Sequence, residues 1–303
     1  MTLLRLGTRG SQLALVQAEF VAHLLRERGH EVEVVTIQTS GDRLQGTDQA
    51  ESANKAVWVQ EIEEALLESS IDLAVHSAKD MPAVLAEGLT VGAYPDREDP
   101  RDCFIGAPGR RFTALPPGAR VGTSSTRRTA LLRALRPELE VVPTRGNVPT
   151  RLEKIEALGL DGIVLASAGL IRLGLEDRIL DPLDQERYVP SGGQGALAVE
   201  VRIDDDRVQK IVTQIEDPTV AAQVRAERAL LAELGGDCKT PIGVHASLQG
   251  LRLMLRALVL SPSGLSRIEG SAEGDIDAPE TLGVTLGREL MQRGAGRLIE
   301  RLE

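Results

Sequence analysis

Hydrophobic and polar positions alternate through the first third of the chain in a pattern that predicts a β/α fold. Four stretches have the two-residue period or the short apolar run of strands, and two have apolar side chains at helical spacing. The predicted strands cover 3–7, 31–37, 71–75 and 89–94, and the predicted helices cover 11–28 and 55–67. Ser11 is the expected cap of the first helix and Gly29 its end. The polar stretch 39–54 has no period and predicts a loop.

Beyond a charged, proline-rich stretch at 95–100, which we interpret as a crossing between domains, the β/α alternation restarts. Strands are predicted at 119–122, 139–142, 162–166 and 196–201, and helices at 125–135, 147–157 and shortly after 166. Such alternation favours a mainly parallel sheet with helices on both faces. The glycine-rich run Ser191–Gly195 predicts a flexible second crossing, after which the chain returns to the first sheet.

From about Pro218 onward the pattern changes to that of a small α+β domain. Its predicted elements are a helix at 220–234, strands at 244–248, 251–260 and 265–269, and a last helix at 279–293. The predicted fold is therefore α/β, with two lobes built on mixed, mainly parallel sheets and a small C-terminal α+β domain. The expected bounds are 1–95 with 196–215, then 99–192, then 218–303.

Composition narrows the classes of function. The chain has 303 residues, a net charge of −10, 2% aromatic residues and two cysteines. So few aromatic residues argue against base stacking on single-stranded nucleic acid, and no apolar run approaches the roughly 20 residues of a membrane span. Two cysteines are too few for a disulfide framework, and the N-terminal residues enter a strand pattern at once. We expect a cytoplasmic protein without a nucleic-acid or membrane partner.

A cluster of reactive groups follows the predicted strand 71–75. His76, Ser77, Lys79 and Asp80 lie within five residues, and Pro82 prevents a simple helical continuation. In α/β proteins, ligands bind at the carboxyl ends of strands, where this cluster falls. A polar turn with one Lys–Asp surface pair is the alternative interpretation.

Three helix starts share one chemical pattern. Each follows a predicted strand and combines hydroxyl groups and free backbone N–H groups with arginine, which together attract carboxylates or phosphates. The three stretches are Thr8–Ser11, Thr123–Arg128 and Thr144–Arg151. No glycine-rich loop ending in Lys and Ser or Thr is present, so phosphate is not favoured over carboxylate. The predicted ligand carries several anionic groups.

The two cysteines have different settings. Cys238 lies in a loop between Asp237 and Lys239, where a nearby ammonium group favours the thiolate, so it is a candidate nucleophile or attachment point. Cys103 is predicted to be a core residue of a strand. His76 and His245 lack the spacing of zinc ligands, and we expect no metal site.

Several motifs in the same order along the whole chain resemble the porphobilinogen deaminase family, also called hydroxymethylbilane synthases. They are Thr8–Ser11, His76–Asp80, Gly122–Arg128, Arg145–Asn147, Asp237–Cys238 and Pro241–Gly243. The resemblance implies two lobes like type II periplasmic binding proteins and a third domain whose cysteine holds a dipyrromethane cofactor through a thioether. It also implies stepwise condensation of four porphobilinogen molecules with loss of ammonia, release of hydroxymethylbilane by hydrolysis, and a monomeric enzyme of heme biosynthesis.

The resemblance assigns roles to individual residues. Asp80 is the expected catalytic group. The expected cofactor-binding residues are Asp42, Ser77, Lys79, Thr123, Ser124, Ser125, Arg127, Arg128, Arg145, Gly146 and Cys238, the last as the covalent attachment point. The expected substrate-binding residues are Arg9, Ser11, Lys55, Trp58, Arg145, Arg151, Arg172 and Gln194. Porphobilinogen carries an acetate and a propionate. A ligand with carboxylates agrees with a sequence that has arginines at helix starts but no phosphate-binding loop.

The chain departs from the family pattern in one stretch. The family usually has Gly-Lys-Gly-Leu-Phe where this chain has Asn54 to Trp58, so Lys55 is kept without its flanking glycines. Glu51 and Gln60 replace frequent lysines, which leaves the behaviour of the loop around 42–58 open. Two other functions are also open: a solute-binding protein for a multivalent carboxylate, and the ligand-sensing part of a regulator. A measurement of intact mass distinguishes the enzyme from these two alternatives. Only the enzyme should carry the added mass of two linked pyrroles and lose it in Cys238→Ser.

Overall fold

The computed structural model describes residues 3–40, 56–236 and 240–299. The chain forms two compact units, Met1–Arg97 with Ala196–Ala221 and Glu98–Gly195 with Ala222–Glu303. The division into three domains with the bounds expected above stays a prediction. The predicted loop 39–54 lies almost entirely outside the described residues.

The first unit is built on a five-stranded sheet with the order β2-β1-β3-β10-β4. Its strands are β1 (Leu3–Arg9), β2 (Glu31–Ile37), β3 (Leu73–Ser77), β4 (Leu89–Ala93) and β10 (Leu197–Arg202). β1 pairs in parallel with β2 and β3, whereas β10 is antiparallel to both β3 and β4. Of the five strands described in this sheet, only β10 is reversed.

Helices cover both faces of this sheet. They are α1 (Gln12–Glu27), α2 (Ala56–Leu67) and α6 (Asp206–Val212). Successive residues of a strand point to opposite faces, so Leu73 and Val75 join the core that contains α1 and α6, while Ala74 joins the core under α2. The Ser11 hydroxyl caps α1 by accepting from the Ala14 amide at 3.3 Å, as predicted.

The second unit contains a five-stranded sheet with the order β7-β6-β8-β5-β9. Its strands are β5 (Asp102–Gly106), β6 (Arg120–Gly122), β7 (Glu140–Val142), β8 (Gly162–Ala166) and β9 (Asp181–Pro182). β6 pairs in parallel with β7 and β8, and β5 is antiparallel to β8 and β9. Its helices are α3 (Thr126–Leu135), α4 (Val148–Ala157) and α5 (Ser167–Arg172). Both sheets are thus mixed and mainly parallel, as predicted.

The C-terminal domain carries a three-stranded antiparallel sheet, β11-β12-β13, in the second unit. It consists of α7 (Pro218–Glu233), β11 (Ile242–Gln249), β12 (Arg252–Leu260), β13 (Arg267–Asp275), α8 (Pro279–Gln292) and α9 (Ala295–Ile299). One apolar cluster, to which Leu230, Leu255 and Leu286 contribute, joins the helices to the sheet. Burying such a side chain stabilises the fold by roughly 1.5–3 kcal/mol.

The elements differ from the predictions in several places. The strand predicted at 71–75 extends instead over Leu73–Ser77, because its ladder with β10 continues to the pair Ser77 and Leu197. The helix α6 was missed, although Asp205 is an N-cap that accepts from the Val208 amide at 3.0 Å. The run Ser191–Gly195, predicted to be flexible, is almost entirely buried, and a Cβ on Gly192 would lie 2.7 Å from Leu231. Close packing therefore explains Gly192, whereas Gly193 has φ +72°, a conformation that favours glycine.

Candidate functional site

The first unit gathers predicted site residues at the carboxyl ends of two adjacent strands. β1 and β3 run in parallel, with Leu6 opposite Leu73 and Gly7 opposite Ala74. Arg9 ends β1, and Ser77 ends β3. Neighbouring strands lie about 4.8 Å apart, so both chain ends reach the same edge of the sheet. The structure therefore places the two motifs Arg9–Ser11 and Ser77–Asp80 at one edge.

Lys79 and Asp80 lie in a short 3-10 turn, Ala78–Asp80, directly after β3. The Ala78 amide donates to the Ala196 carbonyl at 2.9 Å, and the Met81 amide donates to the Ala78 carbonyl at 3.3 Å. These backbone bonds fix the turn to the sheet. Both residues are half-buried, so Asp80 combines an ordered backbone with partial exposure to solvent.

The hydroxyl group of Ser77 is held by a residue that the sequence did not suggest. Gln17 Nε2 lies 2.9 Å from Ser77 Oγ, and Gln17 Oε1 lies 3.3 Å from the same atom. Gln17 comes from α1 and is only 5% exposed. Because 60 residues separate the two positions, no local pattern indicates this contact.

His76 faces the opposite side of the sheet from Ser77. Its Nε2 lies 2.9 Å from Glu200 Oε2 on β10, and both side chains are buried. The other oxygen, Glu200 Oε1, is buried without a hydrogen-bond partner among the described residues. Burial raises the pKa of nearby Glu63 on α2, and the negative charge of Glu200 raises it further. His76 therefore belongs to an interior acid cluster.

The second unit brings its predicted anion sites to one sheet edge in the same way. β6, β7 and β8 are parallel neighbours, so Thr123–Arg128, Thr144–Arg151 and α5 all begin at their carboxyl ends. Ser125 and Asn147 cap α3 and α4, accepting from the Arg128 amide at 3.4 Å and the Thr150 amide at 2.9 Å.

The residues at this edge of the second sheet have different surroundings. The buried oxygens Ser124 Oγ and Thr126 Oγ1 have no partner within the part of the chain that the structure describes. Arg145 is exposed, and its carbonyl accepts from Lys154 Nζ at 3.0 Å. Gly146 has φ +116°, and a Cβ there would lie 2.9 Å from Thr150, so this position requires glycine.

Arg127 and Arg128 point into the protein rather than lying open at this edge. Arg127 donates to Asp102 Oδ2 at 2.8 Å and Oδ1 at 3.1 Å, and also to the Val189 carbonyl at 2.8 Å. Arg128 Nε donates to Asp102 Oδ1 at 3.0 Å. All three side chains are buried. Burial alone would raise the pKa of Asp102, but the two guanidinium charges overcome it and hold that pKa well below its usual range.

This buried cluster changes the interpretation of Arg127 and Arg128. Both terminal nitrogens of Arg127 already donate to protein oxygens. Arg127 therefore has a structural role, in addition to the predicted contact with the cofactor. That contact stays a prediction for both arginines. Sequence reasoning missed Asp102, whose only local signal is a carboxylate at the start of a predicted buried strand. Cys103 beside it is buried, as predicted, and burial raises the pKa of its thiol to about 11.

Gln194 belongs to the same cluster, and Arg172 contacts the backbone of the residue that follows Gln194. Gln194 Nε2 lies 2.9 Å from Asp102 Oδ1 and 2.7 Å from the Pro100 carbonyl, and Arg128 donates to Gln194 Oε1 at 3.3 Å. Arg172 donates to the Gly195 carbonyl at 2.7 Å. Their predicted contacts with substrate stay predictions.

Some predicted site residues lie outside the described residues: Asp42, Lys55 and Cys238, together with the side chain of Trp58. Within the described residues there is no group of three or more His, Cys, Asp or Glu side chains that could hold a metal ion. The same residues contain no helix that is long and apolar enough to span a membrane.

Strand ends that carry arginine and hydroxyl groups, with a carboxylate on an ordered turn, are the setting in which α/β proteins bind anionic ligands. The chain belongs to the porphobilinogen deaminase family. The family model "Porphobilinogen deaminase, dipyromethane cofactor binding domain" matches residues 4–210, and "Porphobilinogen deaminase, C-terminal domain" matches residues 221–292.

Curated relatives agree over nearly the full length. The porphobilinogen deaminase of Carboxydothermus hydrogenoformans is 43% identical over 298 residues, covering 98% of this chain and 96% of that protein. The porphobilinogen deaminase of Syntrophotalea carbinolica is 45% identical over 302 residues, covering 99% and 96%. Among solved structures, lipoprotein Tp32 of Treponema pallidum has a TM-score of 0.44 at 14% identity, covering 70% of this chain and 90% of that one.

The residues at the edge of the second sheet fit the dipyrromethane cofactor that the family model names. The cofactor carries carboxylates, and this edge offers buried hydroxyl oxygens of Ser124 and Thr126 that no described protein group satisfies. The N–H groups of a first helical turn also lack intrahelical acceptors. A carboxylate placed there would satisfy donors that are otherwise costly to bury.

Proposed function

We propose that this protein is a transferase that joins four porphobilinogen molecules, with loss of ammonia at each joining, and releases the linear tetrapyrrole hydroxymethylbilane by hydrolysis. When bound through Cys238, dipyrromethane supplies the pyrrole carbon from which the product grows. Membership of the family over nearly the whole chain carries this proposal. By the same reasoning we expect a cytoplasmic monomer in heme biosynthesis.

Asp80 is the proposed catalytic residue. Loss of ammonia from an aminomethylpyrrole leaves a cationic methylene-pyrrolenine, so the transition state gains positive charge near the pyrrole nitrogen. A carboxylate already fixed in position stabilises that charge without having to reorganise. The 3-10 turn that is bonded to Ala196 supports this role, because it orders the backbone of Asp80.

The remaining residues hold carboxylates. In the first unit we propose that Arg9 and Ser11 bind substrate, while Ser77 and Lys79 bind the cofactor. In the second unit we assign the cofactor to the edge residues Thr123, Ser124, Ser125, Arg145 and Gly146, and substrate to Arg151 and Arg172. Charge-assisted hydrogen bonds of this kind contribute roughly 1.5–3 kcal/mol each. Ser11 already accepts from the Ala14 amide, which leaves its hydroxyl hydrogen for a ligand.

The decisive experiment combines mass and turnover. Purified protein from cells that make porphobilinogen should show an intact mass increased by two linked pyrroles, and this increase should be absent in Cys238→Ser. With porphobilinogen it should release ammonia and hydroxymethylbilane. Asp80→Asn should keep the added mass and lose at least about 100-fold in kcat, the scale of one preorganised electrostatic contact. The matched control is Asp204→Asn, an exposed carboxylate of the first unit. A bare wild-type chain without turnover would reject the proposal.

A further inference from the structure

The segment Val189–Gly195, here called the linking segment, contacts most of the buried ionic cluster of the second unit. The Val189 carbonyl accepts from Arg127 at 2.8 Å. Gln194 contacts Asp102 and Arg128, and the Gly195 carbonyl accepts from Arg172. Displacing this segment would therefore disturb the groups that hold the arginine side chains in place.

The opposite side of the linking segment packs on β11 of the C-terminal domain. The Val244 amide donates to the Pro190 carbonyl at 2.8 Å. A Cβ on Gly243 would lie 2.6 Å from the Val189 carbonyl oxygen, so this contact requires glycine. β11 is an edge strand of its sheet, and the linking segment covers the edge that β12 leaves open.

Glu227 completes this contact from α7. Its Oε2 accepts from the Gly193 amide at 2.7 Å, and its Oε1 accepts from the Ala246 amide at 2.7 Å. The side chain is fully buried, and His245 Nδ1 lies 3.5 Å from Oε1. One carboxylate thus satisfies a backbone donor on the linking segment and another on β11. A buried N–H group without an acceptor is costly, so loss of Glu227 would loosen both chains.

We propose that Glu227 is a positioning residue of the deaminase: it fixes the linking segment to β11 and thereby holds Gln194 against Asp102 and Arg128. β11 begins at Ile242, four residues after Cys238 in the sequence. The same carboxylate therefore links the part of the chain that carries the attachment cysteine to the arginine cluster. The expected change in KM rests on the proposed function. The expected change in hydrogen exchange does not depend on it.

The test compares Glu227→Gln with wild-type holoenzyme. The glutamine side chain has the same shape but can accept with only one of its two end groups, so one backbone amide loses its acceptor. Hydrogen exchange should become about tenfold faster in a peptide covering 189–195, and faster also in a peptide covering the start of α3. The intact mass should still include dipyrromethane, and the KM for porphobilinogen should rise about fivefold with kcat nearly unchanged.

A double-mutant cycle with Gln194 tests whether Glu227 acts by positioning Gln194 or by stabilising the fold in general. If Glu227 acts through Gln194, then Glu227→Gln should change KM less than about twofold in a Gln194→Ala background. A purely structural effect would give the same fold-change in both backgrounds and would overturn the proposal. The matched control is Glu233→Gln, which removes a partly exposed carboxylate of the same helix that pairs with Arg288.

The outcomes distinguish the two proposals. If wild-type protein lacks dipyrromethane and turnover, the proposed function fails, and the exchange measurements alone decide the role of Glu227. If wild-type protein is active but Glu227→Gln matches Glu233→Gln in exchange and KM, the positioning role is rejected and the function stands.

Discussion

Two buried carboxylates occupy comparable places in the two α/β sheets and have opposite chemical settings. Glu200 lies on β10 and Asp102 on β5, the reversed strand of each sheet. Asp102 is paired with two guanidinium groups and the amide of Gln194. Glu200 has one imidazole partner, and its second oxygen has none among the described residues. The Asp102 cluster therefore pairs its carboxylate with two guanidinium groups, which stay charged, whereas the carboxylate of Glu200 has a single imidazole partner.

The comparison also shows how a fold can turn motif residues inward. The His76–Asp80 motif and the Thr123–Arg128 motif both look like ligand-facing sequences. In each case one buried acid from a distant strand forms hydrogen bonds with part of the motif. Glu200 is bonded to His76, and Asp102 is bonded to Arg127 and Arg128. A buried acid on a distant strand thus determines which side chains of each motif turn into the core.

The largest predicted effect follows removal of the charge on Asp102. Asp102→Asn leaves two buried guanidinium groups without a counter-ion, so we expect the free energy of unfolding to fall by about 3–5 kcal/mol. Urea unfolding followed by circular dichroism measures this loss. The control is Asp99→Asn, which breaks the partly exposed pair with Arg101 and should cost about 1 kcal/mol or less.

The pH dependence of that loss is a further check on the fixed charge. The pKa of Asp102 is lowered in the folded state, so its contribution is complete above the unfolded pKa of about 3.9 and is lost only as pH falls toward the folded value. The difference between wild-type protein and Asp102→Asn should therefore be constant from about pH 8 to pH 5. A difference that shrinks steadily over this range would contradict the fixed-charge description.

Cys103 reports on the same region without denaturant. Its thiol is buried on β5, and burial raises its pKa to about 11, so alkylation at pH 8 requires opening of the strand. Asp102→Asn should speed alkylation of Cys103 by about 100-fold, which corresponds to about 3 kcal/mol of easier opening. Peptide mapping by mass spectrometry distinguishes Cys103 from Cys238. In Glu200→Gln the rate should change less than about fivefold.

A smaller effect is expected when Glu200 loses its charge. Glutamine keeps the shape of the side chain and one polar atom near His76, and the carboxylate already has an unsatisfied oxygen. Glu200→Gln should therefore lower the free energy of unfolding by only about 1 kcal/mol, the net worth of one hydrogen bond. A loss as large as that of Asp102→Asn would show that the two acids are equally strongly held and would remove the contrast between the clusters.

Local sequence patterns predicted the helix starts well because capping and periodicity act over a few residues. Ser11, Ser125 and Asn147 cap the helices whose starts were predicted at those positions. Partners from distant parts of the chain were not predictable in this way. Gln17 and Ser77 are 60 residues apart, and His76 and Glu200 are 124 apart. Only the register of the sheets and helices brings such groups together, and no local pattern encodes it.

The smallest effect concerns Glu63, the acid above the His76–Glu200 pair. Burial and the charge of Glu200 raise the pKa of Glu63, so the folded state binds this proton more tightly than the unfolded state. The ionised carboxylate therefore costs stability above its folded pKa, and this cost disappears below the unfolded value of about 4.3. Glu63→Gln should stabilise the protein at pH 7 by less than about 1 kcal/mol, because solvent screens the half-buried group.

That gain from Glu63→Gln should shrink as the pH falls and vanish well below the unfolded pKa of about 4.3, where the carboxylate is protonated in both states. Urea unfolding at several pH values measures it. Glu64→Gln on the same helix removes an exposed carboxylate and should show no such trend. A destabilised Glu63→Gln would mean that the ionised carboxylate is favourable on balance, and a gain that does not vary with pH would mean that it does not come from the charge of Glu63. Either result would contradict the conclusion that burial and the charge of Glu200 disfavour the ionised form of Glu63.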